Sequence, residues 1–207
     1  SGAVMQGKMA DATGVVPSGT TLEDIMIDDG IKSQPKATTT VKFAGNLDNS
    51  AIAGTASGTT TTTADIYDSL GNKLSVALTF TKTASGWDWS AEIPASSGVA
   101  QTNVGTGTLS FDNGGKLNVN GTQPVTFTPP TGAADMVIDF NFGTLGEFTG
   151  VTGSSLISKT SIVKMSTQDG YSAGTLLSVA FDEKGFINGT FSNGTIQKMA
   201  QVMLAEF

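Results

Sequence analysis

Apolar and polar positions alternate with a period of two along much of the chain, in short runs. Leu74, Val76, Leu78 and Phe80 share one side of a segment whose other side carries Lys73, Ser75 and Thr79, the pattern of a half-buried strand. Ala64-Asp65-Ile66-Tyr67-Asp68 and a Ser69-Leu70-Gly71-Asn72 turn precede it and complete a predicted hairpin. After Ala84-Ser85-Gly86, Trp87 and Trp89 alternate with Asp88 and Ser90 and lead to Ala91 and Ile93, a third strand with its aromatic side inward, closed by Pro94. Leu109 and Phe111, an Asp112-Asn113-Gly114-Gly115 turn, then Leu117 and Val119 predict a second hairpin. Val125 with Phe127, and residues 137–142, supply further strands. Nearer the C-terminus, Leu177, Val179 and Phe181 run into Asp182-Glu183-Lys184-Gly185, residues 186–191 return, and a turn at Ser192-Asn193-Gly194 leads to a last strand expected over 196–207. That strand sets Ala200, Val202 and Leu204 against Gln201, Met203 and Ala205. Both sides are partly apolar, so it is expected inside a sheet and not at an edge.

Helical periodicity is scarce, and 26 glycines and 6 prolines punctuate the chain, so the predicted class is all-β. The threonine runs at 38–40 and 59–63 suit exposed or edge strands. Gly, Thr and Ser become dense again from Gly143 to Ser158, before Ile162, Val163 and Met165 restart an apolar pattern. Domain crossings are therefore expected near 36–41 and 150–160. The outcome is two β domains: an inner one from residues 1–36 plus 160–207, and an outer, barrel- or sandwich-like one, 37–159, inserted into a loop of the inner one.

Composition narrows the chemistry. Among 207 residues there is no cysteine or histidine, and all 11 basic residues are lysine. This excludes disulfide scaffolds, Cys/His zinc sites, nucleophile systems that need His, and arginine clamps on phosphate. A net charge of -7 with only 14% charged residues repels nucleic acid. No apolar run reaches the roughly 18 residues that span a bilayer, and no signal-peptide pattern opens the chain. Ser1 in place of an initiator methionine leads to the expectation that these residues were cut from something longer.

The candidate sites are few. Asp28-Asp29, Asp182-Glu183, or Asp135 with Asp139, are the carboxylate pairs available for glycoside hydrolysis, but the first two sit in turn-like sequence where acidic residues serve geometry. Asp28 and Asp29 with nearby carbonyls could hold calcium, although the spacing is not that of an EF-hand loop. Gly105-Thr106-Gly107 and the 143–153 region lack the lysine and helix that phosphate binding needs. Trp87 and Trp89 could form a sugar-stacking platform or pack inward on Leu78 and Phe80, and strand alternation favours packing. Gln197, Lys198 and Met199 could face a neighbouring subunit.

Five motifs carry a resemblance: Ile66-Tyr67-Asp68-Ser69-Leu70-Gly71-Asn72; the tryptophans after Phe80-Thr81-Lys82; Leu109-Ser110-Phe111-Asp112-Asn113-Gly114-Gly115-Lys116-Leu117; Gln168-Asp169-Gly170-Tyr171-Ser172-Ala173-Gly174-Thr175-Leu176; and Phe191-Ser192-Asn193-Gly194 through Gln201-Val202-Met203-Leu204-Ala205-Glu206-Phe207. In this order they resemble the middle portion of bacterial flagellar hook proteins. Val4-Met5-Gln6-Gly7 and Asp11-Ala12-Thr13-Gly14 resemble the preceding segment, while the family's terminal helical segments have no counterpart. The resemblance implies a non-enzymatic structural subunit of the hook, the curved tube that passes motor torque to the filament. It implies extracellular placement after export through the flagellar type III apparatus without a cleaved signal peptide. The implied partners are copies of itself in a helical tube and rod, hook-cap and hook-filament junction proteins, with no nucleic acid and no membrane insertion. No catalytic, cofactor-binding or metal-binding residue is expected, and no cofactor. The alternative is an extracellular carbohydrate-binding or adhesin-type β domain.

Overall fold

The computed structural model describes residues 4–19, 21–28, 30–94, 102–154 and 160–203. Along the chain come β1 (Gln6–Met9), β2 (Glu23–Asp24) and β3 (Lys32–Ser33), then β4 (Thr40–Asn46), β5 (Thr59–Tyr67), β6 (Lys73–Lys82), β7 (Trp87–Ile93), β8 (Thr102–Phe111), β9 (Leu117–Val119), β10 (Thr122–Phe127), β11 (Met136–Asn141), β12 (Val151–Thr152) and β13 (Ile162–Gln168), and finally β14 (Gly174–Phe181), β15 (Phe186–Phe191) and β16 (Ile196–Val202). Among the described residues the only helix is the 3-10 turn Ala56–Gly58, so the class is all-β.

The chain divides into two compact units, Ser1–Pro35 with Ser172–Phe207, and Lys36–Tyr171. The second crossing thus falls at 171–172 and not near 150–160. The cause is β13: Ile162, Val163 and Met165 do not restart a separate domain but pair antiparallel with Asn46, Gly45 and Phe43 of β4.

The Lys36–Tyr171 unit holds two five-stranded sheets. One is the meander β5-β6-β7-β8-β9; in the other, β10-β11-β4-β12, β13 pairs with β4 as well. The meander follows from the sequence directly. Leu74, Val76, Leu78 and Phe80 on β6, and Trp87, Trp89, Ala91 and Ile93 on β7, are all buried, as period two requires. Thr59–Tyr67 forms the sheet edge, with its threonines alternating between exposed and half-buried. The inner faces of the two sheets meet through aromatic rings. Trp89 lies 5.8 Å from Phe140 and 5.4 Å from Phe142, and Phe80 stands edge-on to Phe142 at 6.1 Å. This is a sandwich core.

The other unit is a six-stranded sheet, β2-β1-β16-β15-β14-β3. The last strand is interior as expected but ends at Val202; residues 204–207 lie outside the described residues. Ile187, Phe191, Met199 and Ala200 are its buried apolar side chains. Residues 177–181 of β14 are exposed throughout, including Leu177 (67%), Val179 (46%) and Phe181 (60%).

Candidate functional site

Of the acidic residues singled out as possible chemistry, Asp182 and Asp28 have their carboxylates engaged in turns. One five-residue turn recurs at Asp11, Asp68, Asp112 and Asp182. In each, the Asp carboxylate accepts the backbone N–H groups two and four residues on. The Asp carbonyl accepts the N–H of a glycine three residues on, and the Asp N–H donates to the carbonyl four residues on. The glycines Gly14, Gly71, Gly115 and Gly185 all have φ between +77° and +87°, where a Cβ is costly. Three of these turns close hairpins (β5–β6, β8–β9 and β14–β15), so Asp182 is committed to a turn and not to an acid/base pair. Hydrogen bonding, first from the Phe186 N–H, holds its carboxyl below the usual range. At Asp68 burial pushes upward, but donors from Thr131, Asn72 and Leu70 outweigh it and the net shift is downward.

Asp28 accepts the Gly30 N–H at 2.7 Å, again a turn role, and Asp29 lies outside the described residues. Among the described residues no three His, Cys, Asp or Glu side chains gather as a metal cluster. Trp87 and Trp89, 0% and 2% exposed, offer no sugar platform. Their indole N–H groups are buried without an acceptor among the described residues. Of the trio 197–199, Lys198 places its Nζ 3.9 Å from the centre of the Phe186 ring and Met199 is buried.

The most elaborate polar arrangement is a clasp where the chain enters and leaves the Lys36–Tyr171 unit. Lys36 and Tyr171 exchange both backbone hydrogen bonds at 2.9 Å. The Asp169 carboxylate accepts the N–H groups of Thr39 and Thr40 at 2.8 and 2.9 Å on one oxygen. On the other it accepts the Thr39 hydroxyl at 2.7 Å and Lys36 Nζ at 2.8 Å. Burial raises the Asp169 pKa, but Lys36, Thr39 and Thr40 together outweigh that and hold the carboxyl far below its ordinary value. Alongside, the buried Thr38 donates its hydroxyl to Gln168 at 3.1 Å and accepts the Tyr67 N–H at 2.9 Å. Gly170 is required, because a Cβ there would come within 2.3 Å of Thr38 Oγ1. The clasp fixes both chain connections of the unit side by side and ties them to the end of β5. Gln168-Asp169-Gly170-Tyr171 is one of the motifs quoted above, but nothing in it announces donors some 130 residues away.

Comparison with known proteins matches residues 33–171 to the family model described as "Flagellar basal body protein FlaE D2 domain". The chain is 36% identical over 154 residues to the flagellar hook protein FlgE of Helicobacter pylori (strain ATCC 700392 / 26695), a match covering 70% of this chain and 21% of that protein. It is 30% identical over 249 residues to the flagellar hook protein FlgE of Treponema pallidum (strain Nichols), covering 100% of this chain and 54% of that protein. A crystal structure of Helicobacter pylori flagellar hook protein FlgE2 aligns with a TM-score of 0.48 and 19% identity, over 70% of this chain and 32% of the other. The chain therefore spans between about a fifth and about half of the hook proteins named here.

Proposed function

The chain belongs to the flagellar hook protein family, and from that premise we propose that it is the β-structured part of a hook subunit. It acts by packing against copies of itself in a helical tube that transmits torque, and it catalyses nothing. The observation that carries this is the match of the family model to residues 33–171, nearly the Lys36–Tyr171 unit that the clasp closes. A subunit of a bending tube needs domains that stay rigid while their contacts shift. The sandwich core and the Asp169 clasp supply the rigidity. A surface poor in charged side chains and rich in hydroxyls supports modest, wet contacts that exchange hydrogen bonds at little cost. Placement outside the cell, export without a cleaved leader, and contacts with rod, cap and junction proteins belong to the same reading.

Immunogold electron microscopy with antibody raised against the folded 207-residue chain tests it. Label confined to the short curved segment between cell body and filament is the expected result. Label absent from that segment, or spread over the cell surface, would overturn the reading.

A further inference from the structure

In the Ser1–Pro35 and Ser172–Phe207 unit, β3 covers the outer edge of β14 only at its start, where Gly174 and Thr175 pair with Ser33 and Lys32 and Leu176 donates to Ile31 O. Beyond that, no strand among the described residues pairs with the edge of residues 177–181. Its backbone orientation follows from the hairpin. Asp182 turns its N–H inward to Phe186 O, so by antiparallel alternation the N–H and C=O groups of Phe181 and Val179 point outward from the sheet. The side chains there are apolar. Val179 and Phe181 stand opposite Gly189 and Ile187 on β15, and thus continue the buried side of that strand outward. Yet they are 46% and 60% exposed, with Leu177 at 67%. A bare edge carrying alternating apolar side chains is a template for another strand, and a stable soluble chain does not ordinarily leave one open.

We propose that this edge receives a β-strand from the part of the hook polypeptide that lies outside these 207 residues, so that β14 becomes an interior strand of a larger sheet. The occupant follows from length: the Treponema hook protein matches this chain from end to end, yet only 54% of it is accounted for. A strand from the same polypeptide reaches the edge at high effective concentration and needs no second subunit. The proposal rests on the hook reading only for the existence of that further sequence.

Hydrogen–deuterium exchange separates the possibilities, comparing the 207-residue chain with the product of its complete gene held as a dissociated monomer. The amides of Val179 and Phe181 are expected to exchange roughly tenfold or more slowly in the complete monomer. The chain has no cysteine, so Val179→Cys gives a second reading. Its thiol should react freely with a maleimide in the 207-residue chain and be shielded in the complete monomer, while a Leu70→Cys control, on a residue 62% exposed, reacts alike in both. Fast exchange and reaction in the complete monomer would overturn the proposal. Protection that appears only on polymerisation would overturn it too, assigning the edge to a second copy. Either outcome leaves the hook reading to its own test, the position of the antibody label.

Discussion

Truncating Trp89 probes the sandwich core where its two sheets meet. The side chain is 2% exposed, bounded by Phe140 and Phe142 at 5.8 and 5.4 Å and by Gly107, where even a Cβ would approach the indole to 2.7 Å. Trp89→Ala leaves a void that rigid rings from the other sheet cannot fill, a change costing about 3–5 kcal/mol. It also deletes a buried indole N–H that has no acceptor among the described residues, which returns about 1 kcal/mol. The net expectation is a loss of about 3 kcal/mol, equivalent to a fall of roughly 10 °C in Tm for a domain of this size. Trp89→Phe keeps an aromatic ring in place and discards the same N–H, so it should cost less than about 1.5 kcal/mol. Both tryptophans lie in the Lys36–Tyr171 unit. Urea titration followed by Trp87 emission therefore reports that unit, whatever the other does. A Trp89→Ala midpoint equal to wild type, or a Trp89→Phe loss as large as that of Trp89→Ala, would refute the reasoning.

The Asp169 clasp should show in acid. Its folded pKa lies below the unfolded value of about 3.9, so its contribution is complete above that value and is lost as pH falls through the folded pKa. Asp169→Asn should lower stability at pH 7 by about 1–2 kcal/mol after solvent screening and flatten the loss below about pH 4; an unchanged acid limb in a melt series would contradict this. Gly71→Ala and Gly185→Ala, at φ +84° and +77°, should each cost roughly 1–2 kcal/mol. Gly19→Ala, with open space around it, should stay within about 0.5 kcal/mol of wild type by thermal melts. Residues 36–171 expressed alone should fold, giving dispersed amide NMR signals, since both sheets and the clasp lie within them; a collapsed spectrum would show that the unit depends on the rest of the chain.

How far the sequence reached depends on how local each interaction is. The β5–β6–β7 meander was legible because period two, the turn at Asp68 and Gly71, and Pro94 are all neighbours along the chain. The pairing of β13 with β4 was not, since Ile162 and Asn46 meet across more than a hundred residues and no local pattern fixes such a register. The same distance hid the clasp: the sequence around Asp169 says nothing of Thr39 and Thr40, the donors it meets some 130 residues away. On β14 the alternation of Leu177, Val179 and Phe181 correctly announced an apolar strand, but the pattern states only that a partner is needed. It does not say which part of which chain supplies it. Asp182 was the converse case, where the glycine three residues on already argued for a turn over chemistry.

Whether this chain works as part of the flagellar hook is decided by electron microscopy of cells from which its gene has been deleted. Such cells should carry basal bodies without hooks or filaments and lose motility, with both restored when the gene is supplied in trans. Intact hooks carrying filaments on the deletion cells would contradict it.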